Sequence, residues 1–273
     1  MAIIIPANSA ADTAYEVANS CRFNGGGGAG PADDPKMTRT FVAPTSQRKA
    51  TVSVWVKRGR FDNGETNEQS FFSVGNSGDT TYYPDMRFSN DGIVHNLTVY
   101  IDNSNAYKFW TTAQYRDPSA WMHIVVRIDT TESTAGDRVR VYINGVENNT
   151  WTQEGQPTQN FDMPTFVADQ VMCIGARNTT YAWFDGYIAE HIYCDGQSYG
   201  PDKFGEFDDD SPTIWKPIDP SKQSLSFGNN GFWLDFEDSS ALGNDVSGNN
   251  NDFTLSNIAA VDQATDTPTN NFC

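Results

Sequence analysis

Apolar and polar residues alternate with a period of two along most of this chain, whereas the 3.6-residue period of an amphipathic helix is nearly absent. The clearest runs are residues 52–56, 122–129 and 139–143. Asn144-Gly145 follows the third run and supplies the two positive-φ residues of a type I′ hairpin turn. Short runs of this kind, separated by clusters of Gly, Asn, Asp and Pro, predict an antiparallel two-sheet sandwich.

The apolar members of these runs define the predicted core. Successive side chains of a strand point to opposite faces, so the apolar set should line the interface between the two sheets. The expected core residues are Val52, Val54, Val56, Ile124, Val126, Val141, Ile143 and Ile188. Helix should account for less than roughly a tenth of the residues, against the roughly one third that is usual in globular proteins. The predicted fold class is all-β.

Changes in composition divide the chain into five segments. The first is an arm that we expect to order only on a neighbouring molecule, because Ile3-Ile4-Ile5 suits the addition of a strand to an exposed sheet edge. The segment with the main strands is followed by an irregular connection rich in Asp, Pro and Ser, and then by a hairpin that completes the sandwich. The ranges are 1–19 for the arm, 20–196 for the main strands, 197–230 for the connection, 231–256 for the hairpin and 257–273 for a C-terminal tail.

The charge balance is strongly acidic, because 35 Asp and Glu face 18 Lys and Arg and give a net charge of −17. Nucleic acid is therefore not expected as a partner, since binding its phosphates requires clustered cations. No apolar run approaches the length of a membrane span, so no membrane insertion is expected. The first residues lack the basic segment of a secretory signal, which favours assembly in the cytoplasm.

Several motifs follow one another in a recognisable order. Residues 51–59 read TVSVWVKRG, residues 121–129 read WMHIVVRID, residues 141–146 read VYINGV and residues 184–196 read FDGYIAEHIYCDG. This succession, above all the W-x-H-I-V-V strand before the Y-I-N-G hairpin, resembles the laminin-G and pentraxin-like branch of the concanavalin A-like lectin/glucanase superfamily. The resemblance covers residues 20–196 and implies a jelly-roll sandwich.

A further run resembles a variant of this fold found in tailed-phage virion proteins. It consists of FGEF at residues 204–207, GFWLDF at residues 231–236 and SGN at residues 247–249. The resemblance implies a tail-fibre or capsid-decoration module on the virion exterior, in a homo-oligomer or in contact with other virion proteins through the N-terminal arm.

Aromatic residues gather in segments that look like loops, where exposed rings could stack on the apolar faces of sugars. The glycan-binding candidates are Trp183, Tyr181, Tyr82, Tyr83 and Trp110, and Tyr115 belongs to the same group. We expect Trp183 to be the strongest of them. The alternative is that such rings cover the edge of the sandwich.

Calcium is the only cofactor that the sequence suggests, because the superfamily that the chain resembles often places this ion at the rim of the sandwich. Calcium requires hard oxygen donors on loops. Asp245, Asn249 and Asn251 alternate around Ser247 in such a segment, and Asp235 lies on the same hairpin. Ordinary Asx-turn hydrogen bonding is the alternative for these side chains.

No catalytic residue is predicted. Laminarinase-like members of the superfamily carry E-x-D-x-E on one strand, with two carboxylates about 5–5.5 Å apart. The near-match here, Glu206, Asp208 and Asp210, ends in Asp and lies close to Pro212, which disfavours a central strand. The G-x-S-x-G pattern at residues 196–200 is followed by Pro201, and no histidine comes after His191, so a nucleophile elbow is not expected.

Three functions remain open from the sequence. The first is a virion-displayed adhesin that binds host-surface glycans, and the second is a structural virion piece without a ligand. The third is an environmental lectin or a glycanase of the laminarinase type. A jelly roll serves all three, so the fold alone does not separate them.

Overall fold

The structure, a computed structural model, describes residues 15–25, 34–61, 68–75, 84–89, 95–102, 106–164, 166–177, 179 and 182–271. Two large antiparallel sheets, A and B, pack face to face, which confirms the all-β prediction. Within these ranges, helix is limited to four three-residue 3-10 turns at Ala135–Asp137, Pro201–Lys203, Pro220–Lys222 and Ala260–Asp262. None of these helices is long or apolar enough to cross a membrane.

In the described part of the chain, sheet A contains eight strands. They are β1 (Ser20–Asn24), β3 (Lys49–Arg58), β8 (Met122–Asp129), β9 (Val139–Ile143), β10 (Val146–Glu147), β13 (Asp185–Asp195), β16 (Phe232–Leu234) and β18 (Gln263–Ala264). Their order is β10-β9-β8-β3-β13-β1-β18, and β16 pairs with the second half of β13. Asn144 and Gly145 both have positive φ, at 48° and 76°, between β9 and β10, which confirms the predicted hairpin turn.

Sheet B also contains eight strands. They are β2 (Lys36–Thr40), β4 (Gln69–Gly75), β5 (Asp85–Ser89), β6 (Asn96–Tyr100), β7 (Lys108–Thr111), β11 (Trp151–Glu154), β12 (Val171–Ile174) and β17 (Thr254–Ser256). Their order is β11-β7-β6-β5-β4-β12-β2-β17. A separate two-stranded sheet is formed by β14 (Gly205–Phe207) and β15 (Trp215–Pro217).

The main core lies between the two sheets and contains the residues predicted from the alternation. Seven of the eight expected side chains are at most 1% exposed, and Ile143 is partly buried against the same cluster. Phenylalanines from both sheets, such as Phe23, Phe72 and Phe88, fill the space between them. The period-two pattern therefore assigned the faces of β3, β8 and β9 correctly.

The outer face of sheet A is covered as well, which the sequence did not predict. Residues 15–19 were expected to order only on a neighbouring molecule, but Val17 is 2% exposed and packs with Trp55 and Trp121 of the same chain. The backbone N–H of Val17 also donates to the Thr269 hydroxyl over 3.0 Å. The expectation is therefore wrong for residues 15–19, because an apolar patch on their own sheet holds them; residues 1–14 lie outside the described residues.

The connection at residues 197–230 is not irregular throughout, because it contains β14 and β15. Trp215 of β15 donates its indole N–H to Nδ1 of His123 over 2.9 Å, and the two rings are stacked. His123 is stacked on Trp55 from the same face of sheet A. The connection thus forms a third layer, which explains why β3 is buried on both faces.

The predicted hairpin at residues 231–256 is two strands that belong to different sheets. β16 pairs with β13 in sheet A, whereas β17 pairs with β2 in sheet B. Phe232, Leu234 and Phe253 enter the main core from this segment. The segment completes the sandwich as expected, but it is not a hairpin, because β16 pairs with β13 and β17 pairs with β2 instead of with each other.

The C-terminal tail adds a strand at the edge of sheet A. β18 pairs with β1, and the Asp266 carboxylate bridges to the Lys57 ammonium at 2.8 Å and accepts the Trp121 indole N–H at 2.9 Å. This places residues 263–266 beside the end of β3.

Candidate functional site

Trp183, which we expected to be the strongest glycan-binding candidate, is buried. Its side chain is 1% exposed and packs with Cys173 and Ala176, and the Lys36 ammonium lies 5.1 Å from the ring centroid. A ring enclosed in this way cannot stack on a sugar, so the prediction for Trp183 is wrong. Tyr82, Tyr83 and Tyr181 lie outside the described residues.

Trp110 is half-buried on the outer face of sheet B. The Lys108 ammonium lies 4.2 Å from its ring centroid, a cation–π geometry. The indole N–H finds no acceptor in the part of the chain that the structure describes. Trp110 therefore remains a candidate contact for a ligand.

The centre of that outer face carries a buried ion network. The Arg87 guanidinium bonds to the carboxylates of Asp85 at 2.5 Å and Glu68 at 3.0 Å. Arg177 reaches the second oxygen of Glu68 at 3.2 Å, and the Ser70 hydroxyl donates to Asp85 at 2.5 Å. Two cations and two anions balance here, so the network is internally compensated and accounts for the burial of its charges.

The four calcium candidates take part in hydrogen bonds of their own loop. The Asp245 carboxylate accepts four bonds, from the Trp233 and Asn251 backbone N–H groups and from both the N–H and the hydroxyl of Ser247. The side-chain amides of Asn249 and Asn251 donate to backbone carbonyls, and Asp235 accepts from the Glu237 N–H. Among the described residues, no group of three or more His, Cys, Asp or Glu is arranged to hold a metal ion. Calcium binding at this loop stays a prediction.

A cleft of about 230 Å³ opens where three neighbouring strands of sheet A reach the same end of the sandwich, and we call it the end cleft. β3 ends at Arg58, β8 begins at Met122 and β9 ends at Ile143, in antiparallel register. The loop 112–121, which crosses from sheet B to sheet A, forms the opposite wall. The described lining combines six apolar or aromatic residues with five polar ones, which include two guanidinium groups and one carboxylate: Val56, Tyr115, Ala120, Trp121, Met122, Ile143, Arg58, Arg116, Gln114, Asp117 and Asn144.

Arg58 is the most unusual residue of the end cleft, because it is 3% exposed and has no carboxylate partner among the described residues. Its guanidinium donates to the Tyr115 carbonyl over 2.6 Å and to the Gln69 amide oxygen over 3.2 Å. It lies over the Phe88 ring at 4.5 Å. Burial lowers the pKa of Arg58 to about 10.

The aromatic walls are held in place from outside the cleft. The Tyr115 ring is half-buried and packs edge-on against Phe88, with centroids 6.0 Å apart, and burial raises the pKa of its hydroxyl. Trp121 is 8% exposed and is fixed by its indole bond to Asp266. Both rings therefore present a surface whose orientation is set before any ligand arrives.

The alternation pattern of β3 already indicates that the side chain of Arg58 faces the core. Val52, Val54 and Val56 point into the core, and the same period of two places Arg58 on the core side of β3. A buried cation requires hydrogen-bond acceptors or an anion beside it. The core-facing position of Arg58 therefore indicates a polar site at this end of β3, where the end cleft lies. Tyr115 was among the aromatics singled out, whereas Arg116 and Trp121 were not read as site residues.

The carboxylates of the near-match to E-x-D-x-E lie elsewhere. Glu206 is exposed on β14, and a single ammonium, that of Lys216, bridges to Glu206 at 3.4 Å and to Asp208 at 3.3 Å. Hydrogen bonds from Lys216 and from backbone N–H groups lower the pKa of Asp208. Asp210 is exposed and follows the strand.

A family model of laminin G type, described as the concanavalin A-like lectin/glucanases superfamily, matches residues 32–195. The chain belongs to this superfamily. The match confirms the coarse resemblance drawn from the sequence, and the phage-specific variant stays a prediction. A comparison of this chain with the curated proteins found no match.

Solved structures with the same fold are distant in sequence. The chain is similar to a putative carbohydrate binding protein from Bacteroides ovatus, with 12% identity and a TM-score of 0.51, over 90% of this chain and 60% of that protein. It is also similar to the CBM40 domain of the Ruminococcus gnavus IT-sialidase, with 16% identity and a TM-score of 0.42, over 62% of this chain and 95% of that domain. Mouse laminin α1 domains LG4-5 align with 10% identity and a TM-score of 0.43, over 69% of this chain and 47% of that chain. At these identities the likeness shows the fold alone.

Proposed function

We propose that this superfamily member is a non-catalytic carbohydrate-binding module and that the end cleft takes one saccharide unit. The observation that carries the proposal is the cleft itself, in which aromatic and aliphatic walls converge with a few fixed polar groups. Its volume of about 230 Å³ lies below the range of about 300–1,000 Å³ typical of drug-sized ligands, which suits a single sugar ring.

The residues of the cleft divide the work of holding a sugar. Tyr115 and Trp121 offer ring faces and edges to the C–H face of the pyranose. Arg58, Arg116 and the Asn144 side chain of the neighbouring turn offer polar groups to its hydroxyls. Each such hydrogen bond contributes a net of only about 0.5–1.5 kcal/mol, so the affinity per site should be weak. Several copies on one particle would raise avidity by about 10²–10⁴-fold.

The proposal is tested by glycan-array screening followed by calorimetry on Tyr115→Ala, with Trp110→Ala as the matched aromatic variant on the outer face of sheet B. Tyr115→Ala should lower the affinity for the selected saccharide at least about tenfold, a loss of about 1.4 kcal/mol, whereas Trp110→Ala should leave it unchanged. Thermal melting of both variants separates loss of binding from loss of fold. If Trp110→Ala abolishes binding and Tyr115→Ala does not, the site lies on the outer face of sheet B instead.

The setting that we propose is the exterior of a phage virion, as a tail-fibre or capsid-decoration module assembled in the cytoplasm, in copies that contact one another or other virion proteins. Support comes from the resemblance of residues 204–207, 231–236 and 247–249 to phage virion proteins. Mass spectrometry of purified particles and antibody labelling in electron micrographs test it. Absence from particles, with secretion instead, would favour the environmental lectin.

A further inference from the structure

We propose that the saccharide bound in the end cleft is acidic and that Arg58 and Arg116 hold its carboxylate. This inference rests on the proposed function and specifies the chemical class of the ligand. Its basis is a local excess of positive charge in a chain whose net charge is −17.

The hydrogen bonds of Arg58 leave room for an anion. A guanidinium has five N–H donors. Nε and Nη2 share the Gln69 amide oxygen, at 3.4 and 3.2 Å, and Nη1 donates to the Tyr115 carbonyl. One N–H on Nη1 and one on Nη2 therefore have no acceptor among the described residues. Two such N–H groups are what a carboxylate uses in a bidentate pair.

The charge of Arg58 also has no carboxylate counter-charge in the part of the chain that the structure describes. A buried cation is costly unless an anion is paired with it. The buried guanidinium of Arg87, by contrast, is paired with Asp85 and Glu68. Among the described residues, Arg58 has only neutral acceptors and the Phe61 and Phe88 rings, at 4.7 and 4.5 Å. A ligand carboxylate would supply the missing counter-charge.

The other charged groups around the cleft favour the same ligand. Arg116 lines the cleft, is exposed and donates to the neutral Gln114 side chain. Burial lowers the pKa of His95, and the charges of Arg58 and Arg116 lower it further, so both guanidinium groups act on one side chain beside the cleft. Asp117 is the one carboxylate that the cleft's described lining contains, and it accepts the N–H and hydroxyl of Ser119. Lys57, the preceding residue, is held by Asp266.

The test compares matched sugars that differ only in the oxidation of C6: the methyl glycosides of glucuronate and glucose, galacturonate and galactose, and mannuronate and mannose. Calorimetry at pH 7 should show at least one pair in which the acid binds at least about tenfold more tightly than the neutral sugar. Arg116→Gln should reduce that ratio at least about threefold, and Arg58→Gln should abolish it.

Arg48→Gln is the charge-matched control, because Arg48 precedes β3 and Arg58 ends it, which places them about 30 Å apart along an extended strand. It should leave the ratio unchanged. Since Arg58→Gln could impair folding, Arg58→Lys is measured beside it. It should keep a reduced preference for the acid, because an ammonium carries the charge but lacks the two parallel N–H donors with which a guanidinium binds a carboxylate.

The outcomes separate the two proposals. Equal binding of acid and neutral sugar, with both lost in Tyr115→Ala, overturns the acidic ligand and leaves carbohydrate binding intact. An acid preference that survives in both arginine variants also overturns it. If none of the six glycosides nor any array glycan binds in a Tyr115-dependent manner, the proposed function itself fails.

Discussion

At the residue scale, Glu190 is the group whose ionisation the fold controls most directly in the neutral range. It lies at a bulge in β13 with φ of 46° and is 4% exposed. Its two oxygens accept the Tyr15 hydroxyl at 2.9 Å and the Trp233 indole N–H at 2.7 Å. Burial, with smaller contributions from Asp235 and Glu237, raises the pKa of Glu190 to about 8.

We expect the contribution of Glu190 to the free energy of unfolding to be lost as pH rises from about 4.5 to 8, and the total free energy of unfolding to fall between about pH 6.5 and 8. The unfolded chain ionises Glu190 near 4.5 and the folded chain near 8, so the stabilisation is fully present below 4.5 and is lost through the folded pKa. At about 1.4 kcal/mol per pKa unit, the loss over the full range from 4.5 to 8 is on the order of 5 kcal/mol. Glu190→Gln should flatten this part of a pH-dependent urea-unfolding profile.

Glu154→Gln is the control, since Glu154 is exposed on β11 of sheet B and should leave the slope in place. The buried histidines act in the opposite direction below about pH 6.5, where the unfolded chain binds protons that the folded chain does not, so the Glu190 slope is read between about pH 6.5 and 8. Burial lowers the pKa of His123 and of His191 to about 3, and burial with two nearby arginines lowers that of His95. An unchanged slope in Glu190→Gln would mean that Glu190 is ionised in the folded protein at pH 7.

At the scale of elements, β16 shows how a late segment becomes part of the first sandwich. Leu234 pairs with His191 across β13 and is fully buried in the main core. Leu234→Ala should therefore cost about 2–5 kcal/mol of the free energy of unfolding, as for other large-to-small core substitutions. Val261→Ala, at a side chain that is 90% exposed, should cost less than about 0.5 kcal/mol.

The same measurement reports cooperativity. If β16 belongs to the same folding unit as β3 and β13, the Leu234→Ala variant should unfold in one transition at a lower urea concentration. A second, separate transition that shifts alone would show that residues 231–256 form an independent unit.

The sequence predicted strands better than it predicted what covers them. Alternation assigned the core faces of β3, β8 and β9, because one face of each strand packs against sheet B. It could not show that residues 15–19 and the β14–β15 pair would cover the other face, since those contacts join residues far apart in the chain. The aromatic candidates were chosen as loop residues, and Trp183 lies in a segment that folds back against Cys173.

At the scale of the whole molecule, the carboxylates of the described residues are distributed in a way that argues against hydrolysis. A retaining glycosidase needs a nucleophilic carboxylate and a second carboxyl with a raised pKa about 5–5.5 Å away. Glu206 and Asp208 share one ammonium on the exposed β14–β15 sheet, and the pKa of Asp208 is lowered. Glu190, whose pKa is raised, is enclosed by Tyr15 and Trp233 rather than facing a cleft.

We therefore expect no release of reducing ends from laminarin, agar or an acidic polysaccharide on long incubation, measured against a laminarinase as positive control. Glu206→Gln and Asp208→Asn should each leave saccharide affinity unchanged, because both side chains lie outside the lining of the end cleft. Reducing-end release that disappears in Glu206→Gln would replace the binding module with a glycanase. Release that persists in both variants would point to a contaminating enzyme, which repurification removes, and binding through the end cleft would then remain the activity to explain.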